Sequence, residues 1–384
     1  MKAHLLYPER DFEVEDGERA RYDELVRDLD VTTLLSAMAD GDRYIFDVSR
    51  AVLLAALGLA GMVLAGPLVV TRRIEKRVPL GGYGKAAVIH RYGDVTVIGT
   101  GGAHALVDAL VRVTARDRRL AEDFAGKVDI QVAGQGDSFV IATVYPPNVP
   151  TDPQLGYEVE MSIRMPAGVA TLVRNSFGDV RIAGMDGDCR VVNRFGEVEI
   201  DRCDRCEVEN SYGRVRLAQT RGLAVVRNSY GDVDLRLVGG PVQVTNRYGT
   251  VHTEQSTDDV TIDNQFGNVF ARSDRGALSI ANRYGDVNAW VDDAELAALS
   301  IMSRLGRVNL SLGEQVPFRI DATARQGRIM SGLPFEVRSV GTAQEVSARQ
   351  GAGGPQIDIQ GVWSDFVIHG DVSEPAPDAP TVER

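Results

Sequence analysis

Three groups of side chains in this 384-residue sequence have the types and spacings that could do chemistry. Cys203 and Cys206 in "CDRC" form a Cys-x-x-Cys pair, the spacing of zinc sites and redox dithiols. Neither a second cysteine pair nor a nearby histidine completes a ligand set; Cys189 is the only other cysteine in the sequence. The pair therefore reads as a core residue, Cys206, and a turn residue, Cys203. Asp179 and Glu197, with Arg194 close by, resemble the clustered carboxylates and cation of a polysaccharide-cleaving β-helix enzyme. The acids that follow glycine in "GDV" could line up as a calcium ladder, but Arg214, Thr250 and Asn268 interrupt that row. The five histidines (His4, His90, His104, His252 and His369) are dispersed and form no Ser/His/Asp arrangement. "GGYGK" at 81–85 lacks the spacing and hydroxyl of a phosphate loop. No catalytic residue, metal ligand or cofactor is expected.

The elements that must carry these residues are repeats. "VRNSFGDVRI" at 173–182 returns as "VVNRFGEVEI", "VENSYGRVRL", "VRNSYGDVDL", "VTNRYGTVHT", "IDNQFGNVFA" and "IANRYGDVNA". Steps of about eighteen residues are solenoid spacing, and a unit this short must stack on its neighbours to gain a core. Within one copy Cys189, Val191, Asn193 and Phe195 are two apart and share a strand face; Gly196 permits a corner, and Val198 and Ile200 resume the inner side. Parallel stacking at about 4.8 Å then predicts three columns. Asn175, Asn193, Asn210, Asn228, Asn246, Asn264 and Asn282 form an inward ladder in which each amide donates to one neighbour and accepts from the other. Phe177, Phe195, Tyr212, Tyr230, Tyr248, Phe266 and Tyr284 form an inward aromatic stack. Gly178, Gly196, Gly213, Gly231, Gly249, Gly267 and Gly285 supply the corners, with Gly306 and Gly327 in looser copies. On this reading Asn228→Leu and Tyr230→Ala both destabilise the array, the second by roughly 3–5 kcal/mol. The predicted fold is mainly β, a parallel β-solenoid of the β-helix or β-roll kind, with two or three sheets per coil.

Outward positions mix signs, as a solvated face with lateral ion pairs would. The net charge of −12 carries no concentrated basic face, which argues against nucleic acid and gives no pull toward anionic lipid.

Residues 1–50 are acidic with helical signals; "ERARYDELVRDL" has amphipathic spacing. Residues 51–71 contain "AVLLAALGLAGMVLAGPLVV", about twenty uncharged residues, enough for a single transmembrane helix. Residues 82–170 read as a divergent first coil, with His90 in the asparagine position, plus capping strands and a short helix at "RRLAEDFAG". Regular coils follow at 171–332, a C-terminal cap at 333–372, and a disordered tail at 373–384.

The N-x-[FY]-G-[DE]-V phrase and the ending "GPQIDIQGVWSDFVIHG" resemble the bacterial adhesin-type β-strand repeat family designated DUF4097, over roughly residues 82–370. The resemblance implies a β-solenoid attached to a membrane anchor and facing out of the cell, with no catalytic residues. Residues 22–54 are faintly similar to the leading segment of bacterial MutS-related ATPases, but no ATPase motif follows. The expected protein is a non-enzymatic, membrane-anchored binder or scaffold. Its partners would be a surface polysaccharide or envelope protein, with a cytosolic partner for residues 1–50. A carbohydrate-active β-helix enzyme and a cytoplasm-facing assembly module are the alternatives. Arg72, Arg73, Lys76 and Arg77 after the span favour the cytoplasmic side by the positive-inside rule, against the exported placement that the resemblance implies.

Overall fold

A coil of this chain is two short strands joined at a glycine. The computed structural model describes residues 68–370 apart from Gly81, Thr151 and Asp293. The acidic segment 1–50, the span up to residue 67, the tail and the MutS-like stretch lie outside the described residues. Among the described residues no helix is long and apolar enough to cross a membrane.

The chain enters through β1 (Leu68–Pro79), β2 (Lys85–Ile89), β3 (Val95–Thr100) and β4 (His104–Ala115). Helix α1 (Arg118–Lys127), β5 (Asp129–Gln135), β6 (Ser138–Val144) and β7 (Gly156–Pro166) follow. The regular coils are β8 (Ala170–Phe177) with β9 (Val180–Ala183), β10 (Cys189–Phe195) with β11 (Val198–Cys203), and β12 (Cys206–Tyr212) with β13 (Val215–Thr220). They continue as β14 (Ala224–Tyr230) with β15 (Val233–Val238), and β16 (Val242–Tyr248) with β17 (Val251–Ser256). The last two are β18 (Val260–Phe266) with β19 (Val269–Ser273), and β20 (Gly276–Tyr284) with β21 (Val287–Val291). β22 (Leu296–Leu312), β23 (Phe318–Arg325), β24 (Ile329–Ser331), β25 (Arg338–Val340), β26 (Ala343–Gln350) and β27 (Gln356–His369) complete the chain.

First strands of successive coils pair with first strands, second with second, all parallel and in register: Asn193 lies beside Asn175 and Asn210, and Val198 beside Val180 and Val215. Two ladders therefore run the length of the molecule. Their inner faces meet in one core of small aliphatic side chains, such as Val191, Val208 and Val226 against Ile200, Leu217 and Leu235, all essentially inaccessible. β-Branched residues suit this pleated, two-layer packing.

Both ends depart from chain order. At the start, β6 pairs with β2, and β7 with β3, so the later coil lies outside the earlier one. The antiparallel strands β5, β4 and β1 then close the two sheets. Helix α1, capped by the Asp117 carboxylate accepting from Arg119 N, buries Ala121, Phe124 and Ala125 against this end. At the other end β27 inserts between β22 and β23, and β26 closes the first sheet antiparallel. Capped ends leave no open coil to template another chain.

Two boundaries differ from expectation. β1 at Leu68–Pro79 precedes the expected start at 82 and overlaps the expected span to residue 71. The basic cluster belongs to that strand: Arg72 donates to the carbonyls of Ala125 and Val128 at 2.8 and 2.7 Å, Arg73 pairs with Asp108, and Lys76 lies 3.3 Å from Asp129. Alternation in "LVVTRRIEKRVP" suits an edge strand, and its charges discourage edge-to-edge pairing.

Candidate binding surface

The asparagine column is buried, each side chain 1–5% exposed. Its hydrogen bonds differ from the amide-to-amide ladder expected. Asn193 Nδ2 donates to Gly196 O in its own coil and to Gly178 O in the preceding one, both at 3.3 Å. Asn210, Asn228 and Asn282 repeat this pattern, and Asn175 reaches Gly93 and Gly178. Amide-to-amide bonds occur only toward the end, from Asn246 to Asn264 and from Asn264 to Asn282, each 3.2 Å. The reason is the corner. Gly196 adopts φ 134°, which leaves its carbonyl pointing inward, and an amide three residues back is the nearest donor.

The same corner displaces the rings. They are not core residues: Tyr212, Tyr230 and Tyr284 are 40–44% exposed. With the amide filling the inside of the bend, the next ring swings over the outside. There the seven rings stack face to face, centroids 4.7–5.0 Å apart and planes within 8°. Tyr92 extends the column onto Phe177 at 5.5 Å. Arg91, Arg194 and Arg247 lie over the adjacent rings at 5.2–5.4 Å. A ring stacked on both faces offers only its edge to a ligand.

Glycine is required at these corners by space as well as by φ. A Cβ on Gly231 would sit 2.2 Å from Gly213 O. The looser copies differ: at Gly306 and Gly327 the left-handed residue moves one position earlier, to Leu305 (φ 59°) and Gln326 (φ 56°), and in β27 it is Trp363 (φ 57°).

The aspartate after each glycine has a job that the sequence reading did not assign. Asp179 Oδ1 accepts from Glu197 N of the next coil at 2.9 Å, Asp232 from Thr250 N at 2.9 Å, and Asp286 from Arg307 N at 2.8 Å. Asn268 does the same to Asp286 N at 2.9 Å. The signal was the recurrent "GD"; its meaning depends on the backbone of the neighbouring coil, which no single repeat contains. Two of the suspected catalytic trio are thereby engaged within the solenoid. Asp179 has one oxygen on that amide and the other 2.8 Å from Arg181, while Arg194 lies over the Phe195 ring.

Cys203 is buried at the end of β11, contrary to the turn position expected, within hydrogen-bonding reach of Cys189 and Cys206. All three thiols are free, and hydrogen bonding to Cys203 together with burial pushes Cys189 and Cys206 well above the ordinary thiol range. Among the described residues no cluster of three His, Cys, Asp or Glu is arranged to hold a metal ion. The described histidines form no cluster. His90 is buried with Nδ1 2.8 Å from Thr143 Oγ1, and burial holds it down to about 4; His252 Nε2 lies 2.9 Å from Glu254. Lys85 of "GGYGK" pairs with Asp137 at 3.4 Å.

One cleft, about 540 Å³, opens on the outer face of the first sheet where the coils become irregular. It crosses β20, β22, β27 and β23 in that spatial order, so its length follows the solenoid axis. One wall is Arg283, Arg304, Val362 and Arg325; the other is Ala281, Met302, Gln360 and Thr323. Between them runs the backbone of Asn282, Ser303 and Gly361, and Asp263 lies at the β18 end. The three guanidinium groups are exposed, and none is in an ion pair with a described residue. Met302, Leu305 and Trp363, at 59, 43 and 55%, are unusually exposed for large apolar side chains. The sequence reading passed over this cleft because its arginines occupy the same outward position as Arg194 and Arg247 in ordinary copies.

No protein-family model matches the chain, so neither the repeat family nor the ATPase family named above is matched, and no curated protein matches either. Solved structures do. One is from Clostridium sporogenes and carries the provisional name of cell adhesion protein; identity is 10%, TM-score 0.24, covering 78% of this chain and 99% of that one. A protein of Bacteroides fragilis, provisionally named an adhesin, matches at 11% and 0.28, covering 78% and 97%. Another provisional adhesin, from Parabacteroides merdae, matches at 8% and 0.31, covering 78% and 95%. Likeness this loose assigns no ligand or role to this chain.

Proposed function

We propose that the protein is a non-enzymatic, adhesin-like binding scaffold: a capped β-solenoid, held at a bacterial membrane by the uncharged segment ending near residue 67, that presents its faces to an envelope or surface polymer. The observation that carries this reading is the use of the repeat's polar groups. Asp179, one of the two acids that would have to act in catalysis, fastens one coil to the next, and the asparagine amides bind corner carbonyls. A repeat built this way supports a stiff body with extended faces suited to binding.

The exported orientation is part of the proposal. Arg72, Arg73 and Lys76 have partners inside the fold, so their sign does not require lipid phosphates beside them. Protease added to intact cells, then to spheroplasts, tests the orientation: cleavage or masking of the solenoid should change before the inner membrane is opened, and a solenoid cut only after that opening overturns it. Binding of the full chain to isolated envelope polysaccharide and envelope proteins, alongside assays for polysaccharide cleavage, tests the rest. Turnover that disappears in Asp179→Asn would overturn the non-enzymatic reading.

A further inference from the structure

We infer that the cleft across β20, β22, β27 and β23 binds an acidic glycan, a sugar chain bearing carboxylate, sulfate or phosphate groups, lying along the solenoid axis. The inference rests on the binding-scaffold reading and names the ligand class and site.

Charge gives the first reason. On the same outer face in the regular coils, Arg190 lies 2.6 Å from Glu207 and 3.2 Å from Glu209, Arg227 lies 3.1 Å from Glu207, and Arg247 lies over the Tyr248 ring. At the cleft, Arg283, Arg304 and Arg325 have no carboxylate partner among the described residues, in a chain of net charge −12. Three unneutralised guanidinium groups held on one wall lose little of their mutual repulsion unless an anion joins them, and guanidinium matches carboxylate, sulfate and phosphate oxygens in pairs.

Spacing gives the second. Neighbouring strands are about 4.8 Å apart, so Arg283 and Arg304 are one strand apart, and Arg304 and Arg325 two, with Val362 between. A row of cations along an axis fits a chain with recurrent anions better than a single small ion. Lining chemistry separates the chain types. Thr323 and Gln360 offer hydroxyl and amide groups for sugar hydroxyls, while Met302 and Val362 offer apolar surface for sugar C–H faces. Trp363, 55% exposed and next in sequence to the lining residue Val362, adds exposed aromatic surface beside the cleft. An acyl chain would need a dry, enclosed cavity, and here most wall residues are exposed. A peptide could not add as a strand, because β20, β22, β27 and β23 are each paired with their neighbours at the cleft.

The test uses the purified full-length chain in detergent, titrated with oligogalacturonate and with a sulfated oligosaccharide. Controls are neutral galactan, free galacturonate, polyglutamate and phosphatidylglycerol vesicles. The expected result is binding of at least one acidic oligosaccharide over neutral galactan and free galacturonate, weakened as salt rises. Arg304→Gln should raise its Kd roughly tenfold, and Arg283→Gln with Arg325→Gln should do the same. Trp363→Asn should weaken binding while tolerating the left-handed backbone. Arg216→Gln, in the ion-paired second sheet, should leave binding unchanged, and circular dichroism should be unchanged in every variant. Equal affinity for neutral galactan, preference for polyglutamate or vesicles, or no binding to either acidic oligosaccharide overturns the ligand class. Acidic-glycan binding that survives the arginine substitutions overturns the site but leaves the scaffold reading standing. That reading itself falls if the full chain binds no envelope component at all.

Discussion

The regular coils and the irregular C-terminal coils use the same residue types for opposite purposes. In β8 to β21 the asparagine Nδ2 groups, the aspartates after the corner glycines and most arginines are engaged by the solenoid itself: amide N–H groups on glycine carbonyls, carboxylates on the next coil's backbone, guanidinium groups on glutamates or rings. In β22, β23 and β27 the column loses its asparagine to Ser303 and Gly361, its ring to Leu305 and Trp363, and its glutamates altogether, while the arginines remain. Repetition closes a surface chemically; its interruption opens one. Trp363 is 55% exposed here, beside cations that have no carboxylate partner among the described residues.

The difference can be broken first at a glycine. Gly231→Ala forces a side chain into Gly213 O at a φ of 131°, and should cost roughly 3–5 kcal/mol by urea denaturation. His90 replaces asparagine in the first coil and makes that end acid-sensitive. Burial lowers its folded pKa to about 4 from the ordinary 6.5, so the unfolded chain binds the extra proton between those values. Stability is therefore complete above the unfolded pKa and falls as pH drops from about 6.5 toward 4, by up to about 3 kcal/mol, a loss that His90→Asn should remove. Asn228→Leu leaves the carbonyls of Gly213 and Gly231 without their side-chain donor and should cost about 2–3 kcal/mol in the same denaturation assay. Tyr230→Ala removes a ring that is 40% exposed, so about 1–2 kcal/mol is expected, less than the loss for a core ring.

The repeat period, the inward valines and the glycine corners were legible because each is a property of one copy. Asn193, Phe195 and Gly196 also announced columns, but not which way they faced. A period of two puts Phe195 inside with Asn193, and only the bend at Gly196 sends the ring outward. The Asp179-to-Glu197 bond, the three-thiol contact and the insertion of β27 between β22 and β23 all join separate coils, so no local pattern contains them. β1 was misread for a related reason: "LVV" continues an apolar run, while the partners that make it a strand, in β4 and α1, lie some forty residues on.

The claim beneath all of this is that the acid after the corner glycine serves as a fastener rather than as a charge. Asp286 offers the cleanest comparison, because its Oδ1 holds Arg307 N at 2.8 Å and Asn268 performs the same task one coil earlier. Thermal or urea unfolding of Asp286→Asn and Asp286→Ala, measured side by side, should show the first unchanged and the second weaker by about 1 kcal/mol. Equal losses in both, or none in either, would contradict it.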